Sequence, residues 1–236
     1  IEPGSAVYIV DFSFPLSVLE KMKESHNALT VIDHHKTALG ELSGFSRAFF
    51  DLDESGATLT WKHLFPDEPI PEFLQYVRDH DLWKYQKPFS RQVKSAMRSR
   101  MDLDDDIETL FASCDEIAEQ FSVDEFAKVG QPSFAKRMAE VRAKAAGHAW
   151  AVIGGYRVPV AEAYRYYSEV AHLLCEMYLE RPFAACYRSQ AGIRVWDLRS
   201  VGEFDVSEIA QEYGGGGHLN ASGFADPDRK IEIFYE

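Results

Sequence analysis

Ala28-Leu29-Thr30-Val31-Ile32-Asp33-His34-His35 is the stretch whose reading decides the fold. An apolar, β-rich run that breaks into one carboxylate and two imidazoles predicts a strand delivering metal-binding or acid–base groups at its C-terminal end. Working outward, Ala6-Val7-Tyr8-Ile9-Val10 breaks in the same way into Asp11. Between the two runs, Pro15 to Ser25 has helical spacing, with Leu16, Leu19 and Met22 on one face and Glu20, Lys21, Lys23 and Glu24 outside it. Strand, helix, strand is a β-α-β unit, whose right-handed crossover makes the two strands parallel. Neighbouring strands lie about 4.8 Å apart, so Asp11 and Asp33-His34-His35 would share one rim. In open α/β sheets that rim is where ligands bind.

Composition narrows the function classes. The chain has 236 residues, 46% of them hydrophobic, enough for one large domain or two ordinary ones. No apolar run approaches the ~20 residues of a membrane span, and no secretory pattern is present, so no membrane association is expected. Cys114, Cys175 and Cys186 are scattered without a C-x-x-C pair, which points to idle thiols in a reducing, cytoplasmic compartment. A formal charge of −13 counts against a sequence-blind binder of long nucleic acid. It leaves room for a small phosphorylated substrate.

Further along, Leu39 to Gly44 reads as a loop and Arg47 to Phe50 as a short strand. Ser55 or Asp53 caps a helix over Gly56 to Phe65, whose small start allows close approach by backbone or ligand. Phe73, Leu74, Tyr76 and Val77 predict a helix running into Arg78-Asp79-His80-Asp81-Leu82-Trp83, a polar cluster that fits either a solvated helix end or a site. Ser90 to Met101 is a helix with a basic face, and Asp102-Leu103-Asp104-Asp105-Asp106 caps another over Ile107 to Gln120. Val123 to Ala146 is one long helix with a kink or break at Gly130-Gln131-Pro132.

From Ala149 the pattern changes. Ala149 to Ile153 and Tyr156 to Ala161 predict a hairpin, Val170 to Leu179 a helix, and Phe183 to Tyr187 with Gly192 to Leu198 a second strand pair. Asp205 caps a helix through Tyr213. Gly214-Gly215-Gly216-Gly217-His218 follows, then a short helix through Ala221 and a strand Ile231 to Tyr235. A glycine run needs positive φ or close approach by another group. Read as a loop opening a helix, it exposes backbone N–H groups to an anion, with His218 and Arg199 as added donors.

Val31-Ile32-Asp33-His34-His35-Lys36 resembles the signature of the DHH phosphoesterases. Gly214 to Phe224, read with Leu198-Arg199-Ser200 and Val206-Ser207-Glu208-Ile209-Ala210, is similar to the DHHA1 domain that follows the DHH domain in many of them. The resemblance covers essentially the whole chain. It implies an α/β fold: a parallel-sheet DHH domain with helices on both faces (1–122), a helical connector (123–148) and a smaller mixed α/β DHHA1 domain (149–236), the two facing each other across a cleft.

The resemblance also implies a metal-dependent phosphodiesterase with two divalent cations, Mn²⁺ ahead of Mg²⁺. On the family pattern Asp11 and Asp79 bridge the metals, with Asp81 competing for the role of Asp79, and His34 ligates one of them. His35 contacts the phosphate, Asp33 supports the imidazoles, and Arg199, Gly215, Gly216, Gly217 and His218 bind the substrate. The expected substrate is a very short linear oligoribonucleotide, such as the 5′-phosphorylated dinucleotide pGpG. The alternatives are a 3′,5′-bisphosphate nucleotidase, a cyclic-dinucleotide phosphodiesterase or a nucleotide-binding module without turnover; a homodimer is compatible with all of them. The family's first motif, a His and two Asp on an earlier strand, has no counterpart before Asp11. With Ile rather than Met at position 1, this leads to the expectation of upstream sequence carrying such a strand.

Overall fold

In the computed structural model, which describes residues 1–26, 28–101, 104 and 106–235, the chain divides into two compact units, Ile1–Lys136 and Arg137–Glu236. In the first, β1 (Ala6–Val10), α1 (Leu16–Ser25) and β2 (Ala28–Asp33) form the anticipated β-α-β unit, and α2 (Lys36–Glu41) leads to β3 (Ala48–Phe50). The strands lie in the order β1-β2-β3, and both pairings are parallel, Val10 opposite Ile32 and Asp33 opposite Phe50. Central β2 is buried along almost its whole length, as a parallel strand covered on both faces must be. Leu19 of α1 reaches it, packing with Val7, Leu29, Val31, Leu42 and Phe45. The segment Leu39 to Gly44, anticipated as a loop, begins instead as the last turn of α2. That turn carries the following Leu42 into the core, where it is 1% exposed.

The helices α3 (Gly56–Leu64), α4 (Glu72–Asp81), α5 (Ser90–Ser99) and α6 (Ile107–Gln120) follow in this unit. Ser55, not Asp53, caps α3; its hydroxyl accepts from the Thr58 N–H while Thr58 Oγ1 accepts from the Ser55 N–H. Asp106 caps α6 through the Thr109 N–H; Asp102, Leu103 and Asp105 of the anticipated acidic cap lie outside the described residues. Tyr76, Val93, Ala96, Met97, Ile117, Phe126 and Ala127 join α4, α5, α6 and the start of α7 (Val123–Ala146) in a second core. Helix α7 runs unbroken through Gly130-Gln131-Pro132, so the break allowed for there does not occur. Its first half is anchored by Phe126 and Ala127, its second by Met138, Val141 and Ala145 in the core of the other unit. Packing on both sides outweighs the one backbone hydrogen bond that proline removes.

Glu54 ties α3 to α4. Its buried carboxylate accepts from Lys62 Nζ at 2.6 Å and Arg78 Nη1 at 2.9 Å. Burial alone would raise its pKa, but hydrogen bonds from Lys62 and Thr58 and the charge of Arg78 prevail and lower it. A carboxyl held below its unfolded value stabilises the fold fully above that unfolded value. The contribution is lost as pH falls through the lowered one. Glu54→Gln is therefore expected to cost about 2 kcal/mol near pH 7, because two cations lose their anion. The gap to the wild type should close on acidification below pH 4. A gap in urea denaturation that does not narrow as the carboxyl is protonated would show that the ion pairs are not its source.

The second unit holds β4 (Ala149–Ile153), β5 (Tyr156–Glu162), α8 (Tyr167–Met177), β6 (Phe183–Gln190), β7 (Ile193–Ser200), α9 (Val206–Glu212), β8 (Gly216–His218), β9 (Ala221–Asp226) and β10 (Ile233–Phe234). They build a mixed seven-stranded sheet, β10-β4-β5-β6-β7-β9-β8, in which only β5 and β6 pair in parallel. Alternation along the strands sorts the two faces. Ala184 and Cys186 pack with Val170, Ala171 and Leu174 of α8; Ala185, Tyr187, Trp196 and Leu198 pack with Val206, Ile209 and Ala210 of α9. The anticipated final strand shrinks to two residues. Asp226 accepts from the Lys230 and Ile231 N–H groups, which holds that stretch in a turn. Among the described residues no helix is long and apolar enough to cross a membrane.

Candidate metal centre

Strand β1 ends at Val10, and Asp11 takes a left-handed backbone, φ 60°, while its N–H still donates to Ile32 O at 2.9 Å. Asp is among the few side chains that tolerate this region. The turn sends the carboxylate toward the end of the neighbouring strand, where Asp11 Oδ1 lies 3.0 Å from His34 Nε2. Gly56, at the start of α3, packs against the same side chain; a Cβ there would fall 2.5 Å from the Asp11 Cβ. The small residue noted in the sequence thus makes room for a site residue.

From α4, Asp81 Oδ2 approaches His34 Nε2 at 3.4 Å. Ligand atoms of Asp11, His34 and Asp81 all lie within 4.8 Å of one another. Burial opposes charge on His34, yet the hydrogen bond and charge of Asp11 and the charges of Asp81 and Asp33 prevail and raise its pKa. Asp81 is raised in turn, chiefly by burial and also by Asp11, against the pull of His34, His35 and Lys94. Two carboxylates converging on one imidazole nitrogen form a pocket of negative potential. A divalent cation fits that donor set of two oxygens and one nitrogen.

The structure brings Asp81, not Asp79, to this cluster. Asp79 is two residues earlier on α4 and buried, and its oxygens accept the N–H groups of Gln86 at 2.8 Å and Lys87 at 3.3 Å. Periodicity could not separate the two, because both lie in the polar stretch Arg78 to Asp81 that ends the helix.

Asp33 organises what surrounds His34. Its Oδ1 accepts the His34 N–H at 2.7 Å and lies 2.6 Å from His35 Nδ1, while Oδ2 accepts from Ser13 Oγ at 2.5 Å. Burial would raise this carboxyl, but the His35 and Ser13 hydrogen bonds, the His35 charge and the His34 N–H bring it down to about 2. Asp33 is therefore an anion fully inside the protein. The His35 ring is thereby held through Nδ1. Ser13 escaped the sequence reading; a hydroxyl two residues past a strand-end Asp was its only signal.

In the second unit the glycine run does not open a helix. It follows the C-terminus of α9, and the Gly214 and Gly215 N–H groups cap that end on Gln211 O and Ala210 O. Gly216 to His218 is the edge strand β8, and Ala221 belongs to β9 rather than to a helix. The glycines serve close approach: a Cβ at Gly215 would lie 2.6 Å from the Phe224 Cβ, and one at Gly217 2.8 Å from the Ser222 Cα. The anion site built on a helix N-terminus therefore has no counterpart here. The side chains still converge, because His218 pairs with Ala221 and Ala221 with Arg199 across adjacent strands. Directly paired residues share a face, so His218 and Arg199 lie on the α8 face two strand spacings apart. Arg199 Nη2 donates to Ser168 Oγ of α8 at 2.6 Å.

Comparison with known proteins gives two curated relatives. The chain is 29% identical over 230 residues to the uncharacterized protein R106 of Acanthamoeba polyphaga mimivirus, covering 93% of this chain and 52% of that one. It is 28% identical over 246 residues to the oligoribonuclease NrnB of Bacillus subtilis, covering 97% of this chain and 61% of that one. This chain thus spans somewhat more than half the length of each. Among solved structures, the pGpG-specific phosphodiesterase PggH from Vibrio cholerae superposes with a TM-score of 0.47 at 14% identity, over 91% of this chain and 83% of that one. No family model matches. The resemblance to the DHH/DHHA1 phosphoesterases drawn from the motifs is borne out.

Proposed function

We propose that the chain is a divalent-metal-dependent phosphodiesterase that hydrolyses very short linear oligoribonucleotides, down to 5′-phosphorylated dinucleotides such as pGpG. The observation that carries this reading is the convergence of Asp11, His34 and Asp81 at the C-terminal rim of a parallel sheet. These three residues would hold the cation, Mn²⁺ or Mg²⁺. A bound divalent ion lowers the pKa of water and neutralises phosphoryl charge. Its remaining sites would be filled by water or substrate, since such ions prefer about six ligands; a second ion needs donors beyond these three. Asp33 holds the His35 ring through Nδ1, and His35 is assigned to the substrate phosphate. In the second unit His218 and Arg199 are assigned to an anionic group.

The name of the Bacillus relative supports an oligoribonuclease reading, and the net charge of −13 supports short substrates. An acidic surface gives a long polyanion no electrostatic reward beyond the site itself. The test is a length series from two nucleotides to twenty, with Mn²⁺, Mg²⁺ or chelator. Metal-dependent release of mononucleotides should be fastest on the dinucleotide and fall steeply beyond a few residues. Equal cleavage of dinucleotide and twenty-mer would identify an exonuclease instead.

A further inference from the structure

The segment joining α4 to α5 is sharply bent. Trp83, Tyr85 and Phe89 all adopt left-handed backbone, with φ of 56°, 46° and 54°. None is glycine, and each such residue is strained. One residue compensates: Asp79 gathers four successive N–H groups, those of Lys84 and Tyr85 on its carbonyl at 2.9 and 3.2 Å and those of Gln86 and Lys87 on its carboxylate. The bend places Trp83 edge-to-face with Tyr85, ring centroids 5.4 Å apart. Two cations of α5 join them. Arg91 Cζ lies 4.5 Å over Tyr85, and Lys94 Nζ is 5.6 Å from the Trp83 ring and 5.9 Å from the Tyr85 ring.

This aromatic–cation group adjoins the metal centre. Trp83 is two residues beyond Asp81, and the Lys94 charge acts on the Asp81 carboxyl. Both rings and Lys94 are half-buried rather than sealed in the core. Aromatic faces beside fixed cations are how single-stranded nucleic acid is held, bases stacking and phosphates meeting charge. In a protein this acidic, a pair of cations held over aromatic rings next to a carboxylate cluster favours a ligand that is both flat and anionic.

We propose that Trp83 is the platform on which the nucleobase next to the reacting phosphate stacks, with Lys94 facing that nucleotide's phosphate. This rests on the phosphodiesterase reading for the turnover assay, and a binding assay separates the two. The variants are Trp83→Leu, which keeps apolar bulk without a π face, Trp83→Phe, which keeps the face, and Lys94→Gln. In hydrolysis with Mn²⁺, the preference for a dinucleotide over its abasic analogue should fall about ten-fold or more in Trp83→Leu, through KM, and recover in Trp83→Phe. Lys94→Gln should raise KM for both. Binding of a mononucleotide without metal, followed by titration calorimetry, should weaken by a similar factor in Trp83→Leu. Weakened binding in a protein that hydrolyses no oligonucleotide would uphold the platform and remove the phosphodiesterase reading. Normal hydrolysis with unchanged base preference in Trp83→Leu would overturn the platform and leave that reading standing.

Discussion

Asp81→Asn is expected to lower Mn²⁺-dependent turnover by about a hundred-fold or more, whereas Asp79→Asn should act mainly on stability. The two aspartates are two residues apart on α4 and differ only in where their oxygens go. Asp81 Oδ2 faces His34 Nε2 at 3.4 Å beside Asp11, so an amide there removes one of the two carboxylates that converge on His34 among the described residues. Even residues that merely support a ligand cost 10–100-fold when lost, and a direct ligand should cost more. Asp79 accepts two backbone N–H groups, one on each oxygen. An asparagine has one acceptor oxygen, and its NH₂ would face the second N–H. The expected loss is about 1.5–3 kcal/mol, read in thermal or urea unfolding. Calorimetry with Mn²⁺ decides the assignment. Full affinity in Asp81→Asn together with lost affinity in Asp79→Asn would return the ligand role to Asp79.

The β-α-β start of the first unit was legible because everything that determines it is local. Alternation and apolar runs mark β1 and β2, the Leu16, Leu19, Met22 stripe marks α1, and the handedness rule fixes the parallel pairing that puts Asp11 beside His34. The hairpin of β4 and β5 was legible for the same reason. Where the expectation failed, a long-range contact decided the local form. Leu42 belongs to the sheet core, so the preceding segment coils into α2 instead of looping. Gly215 and Gly217 lie against Phe224 and Ser222, so the glycine run becomes an edge strand in contact with β9. A glycine allows both an anion-binding loop and a close-packed strand, and the sequence carries no mark of which neighbour will approach.

The juxtaposition of the candidate residues was legible in part. Asp11, Asp33, His34 and His35 meet as their strand ends require, with Asp33 in contact with both His34 and His35. The choice between Asp79 and Asp81 was not legible, because it depends on a loop whose three left-handed residues, Trp83, Tyr85 and Phe89, carry no glycine or proline–glycine signal. That loop needs a buried acceptor for its N–H groups, and Asp79 supplies it. Once Asp79 is committed there, Asp81 is the carboxylate left on α4 to reach His34.

Gly130 gives the same lesson an energetic test. In the interior of a helix, alanine is normally more stable than glycine by about 1 kcal/mol, so on local grounds Gly130→Ala should stabilise α7. The packing says otherwise. A Cβ at 130 would lie 2.8 Å from the Gln92 carbonyl carbon and 2.9 Å from the Ala96 nitrogen, with the Gln92 oxygen closer still. These are backbone atoms of α5, and Ala96 is fully buried in the core that α5 shares with α7. No side-chain rotation can relieve the overlap, so the helices must separate, and Phe126 and Ala127 lose part of their packing with Val93 and Met97. Overpacking of this kind costs about 1–3 kcal/mol, enough to reverse the propensity gain. Gly130→Ala is therefore expected to destabilise the first unit, with faster amide hydrogen exchange along α5 and little change in β4 to β7. Slower exchange along α5 with a raised melting temperature would mean that the two helices have room at this crossing and that the glycine is there for some other reason than packing.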